Sequence, residues 1–106
     1  MDLFHTTDID GVSEINPSVE KMREVLELLD EPEIEDEEHP DVSLVHDPTG
    51  WSLSVFPNGI VTFENLDDED NTPRFMNGVS RTDVLKMWQE LSRGKIERLL
   101  NQAWSR

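Results

Sequence analysis

The stretch GWSLSVFPNGIVTF, residues 50–63, decides the fold. It reads as two strands joined by a tight turn, and it admits two registers. A two-residue Asn58-Gly59 turn sets Leu53 against Glu64 and Ser54 against Phe63, which mixes apolar and polar faces. A three-residue Pro57-Asn58-Gly59 loop pairs Phe56 with Ile60, Val55 with Val61, Leu53 with Phe63 and Trp51 with Asn65. Trp51, Leu53, Val55, Val61 and Phe63 then share one face. A one-residue slip would move a strand's whole apolar set to the other side, so the three-residue loop is the register the sequence specifies. Gly59 is then expected in the left-handed conformation that closes such a loop.

The same test applies one turn earlier. A four-residue Asp47-Pro48-Thr49-Gly50 loop pairs Leu44 with Leu53 and Val42 with Val55, and both join the same apolar face. Two independent turns give one face, and local and global signals agree. The opposite face holds Ser43, Val45, Ser52, Ser54, Phe56, Ile60, Thr62 and Glu64, mostly hydroxyls with an apolar corner at Val45, Phe56 and Ile60. Residues 73–77 are expected to add a short fourth strand.

Helices flank this meander. Asn16-Pro17 reads as a helix start, with Asn16 as cap and Pro17 at the first position, where its missing N–H is not needed. Val19, Met22, Leu26 and Leu29 fall at helical spacing, with Val25 beside them, and Pro32 stops the run. Ser80 caps a second helix with the stripe Val84, Leu85, Trp88 and Leu91, and Gly94 closes it. Ile96, Leu99, Leu100, Ala103 and Trp104 suggest a third. A sheet with one apolar face must bury it, and the helices supply the cover. The sequence therefore predicts an α+β two-layer sandwich. Its antiparallel three- to four-stranded meander is covered on one face by helices, in the order α-β-β-β-(β)-α-α. The expected core is Val19, Met22, Leu26, Leu29, Leu44, Trp51, Leu53, Val55, Val61, Phe63, Val84, Trp88, Leu91, Leu99 and Leu100. Residues 16–106 read as one domain with acidic loops at 30–41 and 64–72. Residues 1–15 show no sustained period and read as an N-terminal arm, either tacked on by Leu3 and Phe4 or loose.

Charge is the other strong signal. The 106-residue chain has a net charge of −15. Residues 1–70 carry 21 Asp/Glu against 2 Lys/Arg, a net of −19, and residues 71–106 carry 3 against 7, a net of +4. Such a chain is repelled by nucleic-acid phosphates and anionic membranes, and is attracted to basic surfaces. The bland alternative is that the charge only solvates, with part of it balanced by Arg81, Lys86, Arg93, Lys95 and Arg98 of the same chain. There is no cysteine, hence no disulfide, thiolate or Cys-based zinc site. With no signal-peptide pattern and no membrane span, the expectation is a cytoplasmic protein.

Asp8-Ile9-Asp10-Gly11 resembles a calcium-loop fragment. Placing Gly11 sixth, however, puts Thr6 first and Pro17 last, and the run from Asp67 fails similarly at Thr72 and Gly78. His5, His39 and His46 lack metal-ligand spacing on any one element. His46, opposite Trp51, reads as a satisfied histidine at the sheet end. There is no nucleophile elbow, phosphate-cradling glycine loop or H-E-x-x-H, and a trio drawn from Ser54, His46 and any aspartate is one of dozens. No catalytic, cofactor or metal residue is assigned, and the chain is not expected to be an enzyme. The expected function is an interaction module that binds a basic protein partner, in an inhibitor, immunity-type or chaperone-like role. Its expected contact residues are Glu35, Asp36, Glu37, Glu38, Asp67, Asp68, Glu69, Asp70, Phe56 and Ile60. The alternatives are a structural or solubility role for the charge with no dedicated partner, or a small-ligand binder in a pocket near Trp51 and His46, and the oligomeric state is left open.

Overall fold

A computed structural model describes residues 3–30, 41–68 and 70–105 of the protein. Among the described residues the chain forms β1 (Phe4–Thr7), β2 (Ser13–Ile15), α1 (Val19–Glu27) with a 3-10 turn at Leu28–Asp30, β3 (Val42–His46), β4 (Trp51–Val55), β5 (Val61–Asn65), β6 (Arg74–Met76), α2 (Arg81–Ser92) and α3 (Ile96–Leu100). The six strands make one antiparallel sheet in the order β2-β1-β3-β4-β5-β6.

The central meander has the register the turns specify. Leu44 pairs with Leu53 and Val42 with Val55; Leu53 pairs with Phe63, Val55 with Val61 and Trp51 with Asn65. Phe56 N–H donates to the Ile60 carbonyl, and Gly59 closes the loop at φ +86°. Gly50 closes the earlier turn at φ +77°, its N–H donating to the His46 carbonyl.

The arm is where structure and sequence differ. Residues 4–15 are built into the sheet, so the three- to four-stranded meander becomes six strands. β1 and β2 form a hairpin, and β1 pairs with β3. The hairpin turn is Asp8-Ile9-Asp10-Gly11, the fragment that failed as a calcium loop. Asp8 Oδ1 accepts from the N–H groups of Asp10 and Val12, and Gly11 takes φ +80°. A short aspartate side chain that holds its own backbone two residues on is turn chemistry.

This hairpin also moves the start of α1. Asn16 is not its cap. It sits at φ +48°, its N–H donates to the Phe4 carbonyl, and its Oδ1 accepts from Phe4 N–H, which ends the hairpin. Asparagine tolerates the left-handed region better than other side chains, and the following proline disfavours the helical one. Ser18 caps instead, accepting from Lys21 N–H. Val19 accordingly falls outside the buried stripe and is exposed.

All three helices cover one face. α2 packs over β3 and β4, α1 packs beside α2, and α3 folds back on α2. Met22, Val25, Leu26, Leu29, Val84, Met87, Trp88, Leu91 and Leu99 meet Val42, Leu44, Trp51, Leu53, Val55, Val61 and Phe63 in the core; Leu100 packs at its margin. Trp88 is fully buried and its indole N–H donates to the Leu53 carbonyl at 3.1 Å, fixing α2 to a central strand. α2 ends in a Schellman motif: Gly94 N–H donates to Leu91 and Lys95 N–H to Glu90. α3 stops at Leu100, earlier than the apolar spacing implies. Trp104 lies beyond it, half-buried, stacked on Phe63 with ring centroids 5.4 Å apart, its indole N–H donating to the Leu99 carbonyl. Phe63 in turn stacks on Trp51 at 4.5 Å. Ser105 then exchanges two backbone hydrogen bonds with Phe75, so this end of the chain lies along the β6 edge.

Candidate functional site

The helices pack on one face of the sheet, and the other face carries no described helix, although Val45 and Ser52 on it are buried. Its side chains follow from the registers. One row runs across five strands as Ser13, Thr7, Ser43, Ser54 and Thr62, and ends at Phe75. Every residue before Phe75 is a small hydroxyl, and Thr7 and Ser13 are hydrogen-bonded at 3.2 Å. The neighbouring row is Ile15, His5, Val45, Ser52 and Glu64. His5 Nδ1 lies 3.0 Å from Asp47 Oδ1. Phe56 and Ile60 lie beyond the hydroxyl row, half-buried beside the β4–β5 turn.

The structure separates the expected contact residues. Phe56 and Ile60 sit at one end of the sheet, and Asp67, Asp68 and Asp70 follow β5 at the other, a strand length or about 17 Å away. Asp67 N–H donates to Asn65 Oδ1 and Asp70 N–H to Asp68 Oδ1, so these aspartates also shape their own loop. Glu35, Asp36, Glu37, Glu38 and Glu69 lie outside the described residues. What joins the Phe56 end instead is Asp8 and Asp10 from the β1–β2 turn and Asp41, next to β3. The sequence reading missed these because β1 and β2 were not recognised. The Asp10-Gly11 dipeptide between Phe4–Thr7 and Val12–Ile15 was the available hairpin signal.

Charge is divided between the layers. The described cations are Lys21 and Arg23 on α1, Arg81 and Lys86 on α2, Arg93 and Lys95 in the α2–α3 connection, Arg98 on α3, and Arg74 on β6. Arg74 faces the helix side and lies over the Trp51 ring at 5.7 Å. Several are matched there: Lys21 with Glu14 and Glu24, Arg81 with Asp30, and Arg98 with Glu90. The open face and the turns at its two ends carry Asp8, Asp10, Asp41, Asp47, Glu64, Asp67, Asp68 and Asp70, and no described Lys or Arg.

His46 is buried opposite Trp51, with Nδ1 2.7 Å from Thr49 Oγ1. Ser54 is on the open face and His46 on the helix side, so these two do not meet. The Trp51 ring is engaged by Phe63 and Arg74. Among the described residues, no group of three or more His, Asp or Glu has metal-site geometry, and no helix is long and apolar enough to cross a membrane. A shallow cleft of about 280 Å³ between α1 and α2 is lined by Arg23, Asp30 and Arg81 with Leu26 and Leu85. Comparisons with protein-family models, with curated proteins and with solved structures find no match to this chain.

Proposed function

We propose that this protein is an interaction module that binds a basic protein partner, in an inhibitor, immunity-type or chaperone-like role. The observation that carries the reading is the division of charge: a sheet face without a described helix that, together with the turns at its two ends, holds eight described carboxylates and no described cation. Complementary potentials of this kind steer encounter and weaken as salt screens them. The hydroxyl row supplies adaptable hydrogen bonding, and Phe56 and Ile60 supply apolar contact at one margin. On the helix side the described cations and carboxylates are equal in number, so that layer is nearly self-compensated, which favours the sheet side as the interacting one. The cysteine-free composition suits a reducing cytoplasm.

Immobilised protein is used to capture partners from lysate of its source cells, with washes at low and high salt. Two variants serve as comparison baits, one with Asp8, Asp10 and Asp41 changed to Asn and one with Asp67, Asp68 and Asp70 changed to Asn. The expected result is a basic protein held at low salt, released at high salt and held less well by at least one variant. Capture that is indifferent to both salt and the variants, or no specific capture, overturns the reading.

A further inference from the structure

We infer that the open edge of β2 accepts an extended, basic segment of the partner as an added strand; this rests on the basic-partner reading and assigns it a docking mode. The two edges of the sheet are unlike. β6 is bridged by Ser105 of the same chain. No described strand pairs with the outer side of β2. The hydrogen-bond phase of the hairpin shows which groups face outward. Asp8 N–H donates to Val12, and Asn16 N–H donates to Phe4. The Thr6–Glu14 pair lies between them, two residues from each. Antiparallel pairs alternate between bonded and non-bonded, so Glu14 turns its backbone groups to β1, and Ser13 and Ile15 turn theirs to the open edge.

A second observation falls on the same place. Among the described residues the exposed large apolar side chains are Ile15 at 71%, Val12 at 62%, Leu3 at 56%, Leu66 at 55% and Val19 at 40%. All but Leu66 belong to β2, the residues flanking β1 and β2, or the start of α1. Edge strands are ordinarily protected by lysine, proline or cover, and this one presents isoleucine and valine instead. The surrounding charge selects the occupant. Asp8, Asp10 and Glu14 flank the edge, and the nearby Lys21 is already held by Glu14 at 3.7 Å and Glu24 at 3.8 Å. A second copy is disfavoured. The twofold pairing that matches Ser13 with Ile15 sets Glu14 directly against its own copy, between chains of −15 each. Strand addition draws affinity from main-chain hydrogen bonds and selectivity from alternate side chains, which here calls for a segment alternating Lys or Arg with Val or Ile.

The probes are an octapeptide alternating Lys and Val and its Glu–Val counterpart, read by amide hydrogen exchange and by affinity. The expected result is slowed exchange at the Ser13 and Ile15 amides with the Lys–Val peptide. Its affinity should fall about tenfold in Ile15→Pro, roughly the worth of one net hydrogen bond. Proline on an edge strand with its N–H side outward leaves the inner ladder intact. Circular dichroism checks the fold, and Ser13→Pro replaces Ile15→Pro if the latter does not fold. Equal binding by a folded proline variant, or protection centred elsewhere, overturns the edge assignment while leaving the basic-partner reading standing. Equal binding of the Glu–Val peptide at the edge overturns both. A dimer in light scattering that Ile15→Pro converts to monomer overturns the assigned occupant in favour of a second copy.

Discussion

Trp88 is the residue on which the joining of the two layers most directly depends. It is fully buried, and its N–H reaches the carbonyl of Leu53, itself fully buried on a central strand. The β4–β5 loop is closed by a bond between Phe56 and Ile60, so by alternation Leu53 turns its carbonyl toward β3 and accepts there as well. Removing the indole N–H therefore does not strand an acceptor, and the loss is that of one net hydrogen bond, about 1 kcal/mol. Trp88→Phe also removes roughly two methylenes' worth of buried surface, about 1.6 kcal/mol. The expected total is about 2–3 kcal/mol, against about 3–5 kcal/mol for Trp88→Ala, which empties most of the site. Urea unfolding followed by far-ultraviolet circular dichroism measures both, and unchanged slopes show that the comparison is sound. A Trp88→Phe cost under about 0.5 kcal/mol would refute the idea that this contact fixes α2 to the sheet. A cost equal to that of Trp88→Ala would refute the claim that Leu53 keeps a partner.

Three further outcomes are expected. Asn16→Ala should cost about 2 kcal/mol, because it combines a left-handed φ with the lost acceptor for Phe4 N–H, whereas Asn16→Gly keeps only the second penalty and should cost about half as much by the same denaturation assay. Gly50→Ala should cost about 1–2 kcal/mol from its positive φ. A Cβ there also meets the Asp67 side chain, but that group is exposed and can swing aside, so a double-mutant cycle with Asp67→Ala should recover little; full recovery would locate the cost in the collision instead. Trp104→Ala should cost about 2 kcal/mol by losing the stack on Phe63 and the bond to Leu99, and Trp104→Phe about 1 kcal/mol, seen as a smaller drop in melting temperature.

The parts of the fold that were legible in the sequence are those where two constraints coincide. Leu44, Leu53 and Phe63 could be aligned because their turns had definite lengths and any slip would have put Phe63 among polar residues. Ser80 and Gly94 bounded α2 because cap chemistry is local. β1 and β2 escaped for the converse reason. Phe4-His5-Thr6-Thr7 and Ser13-Glu14-Ile15 are short and mostly polar, and what makes them strands is the pairing of β1 with β3, a partner far away in sequence, and of β2 with β1. That omission also hid which carboxylates share an end of the sheet. A linear reading combines Phe56 with Asp67, Asp68 and Asp70, and the sheet holds Phe56 and these aspartates at opposite ends. Asp8, Asp10 and Asp41, distant in sequence, come to the same end. Val19 and Asn16 were misassigned together, since one hairpin closure displaced the helix start by two residues.

The unequal charging of the two layers has a physical consequence for motion before contact. Among the described residues the carboxylates are split evenly between the two sides, but every cation lies on the helix side, so the net negative charge falls on the sheet side. The described residues thus set up an electric dipole between the two layers. Near a cationic surface such a body feels a torque as well as an attraction. It turns sheet-first while still separated by about a Debye length, roughly 8 Å at physiological salt. Orientation, ordinarily the main brake on protein association, is then partly settled during approach. The same torque should make the protein adsorb to an anion-exchange surface with its sheet down and its helices facing the solvent.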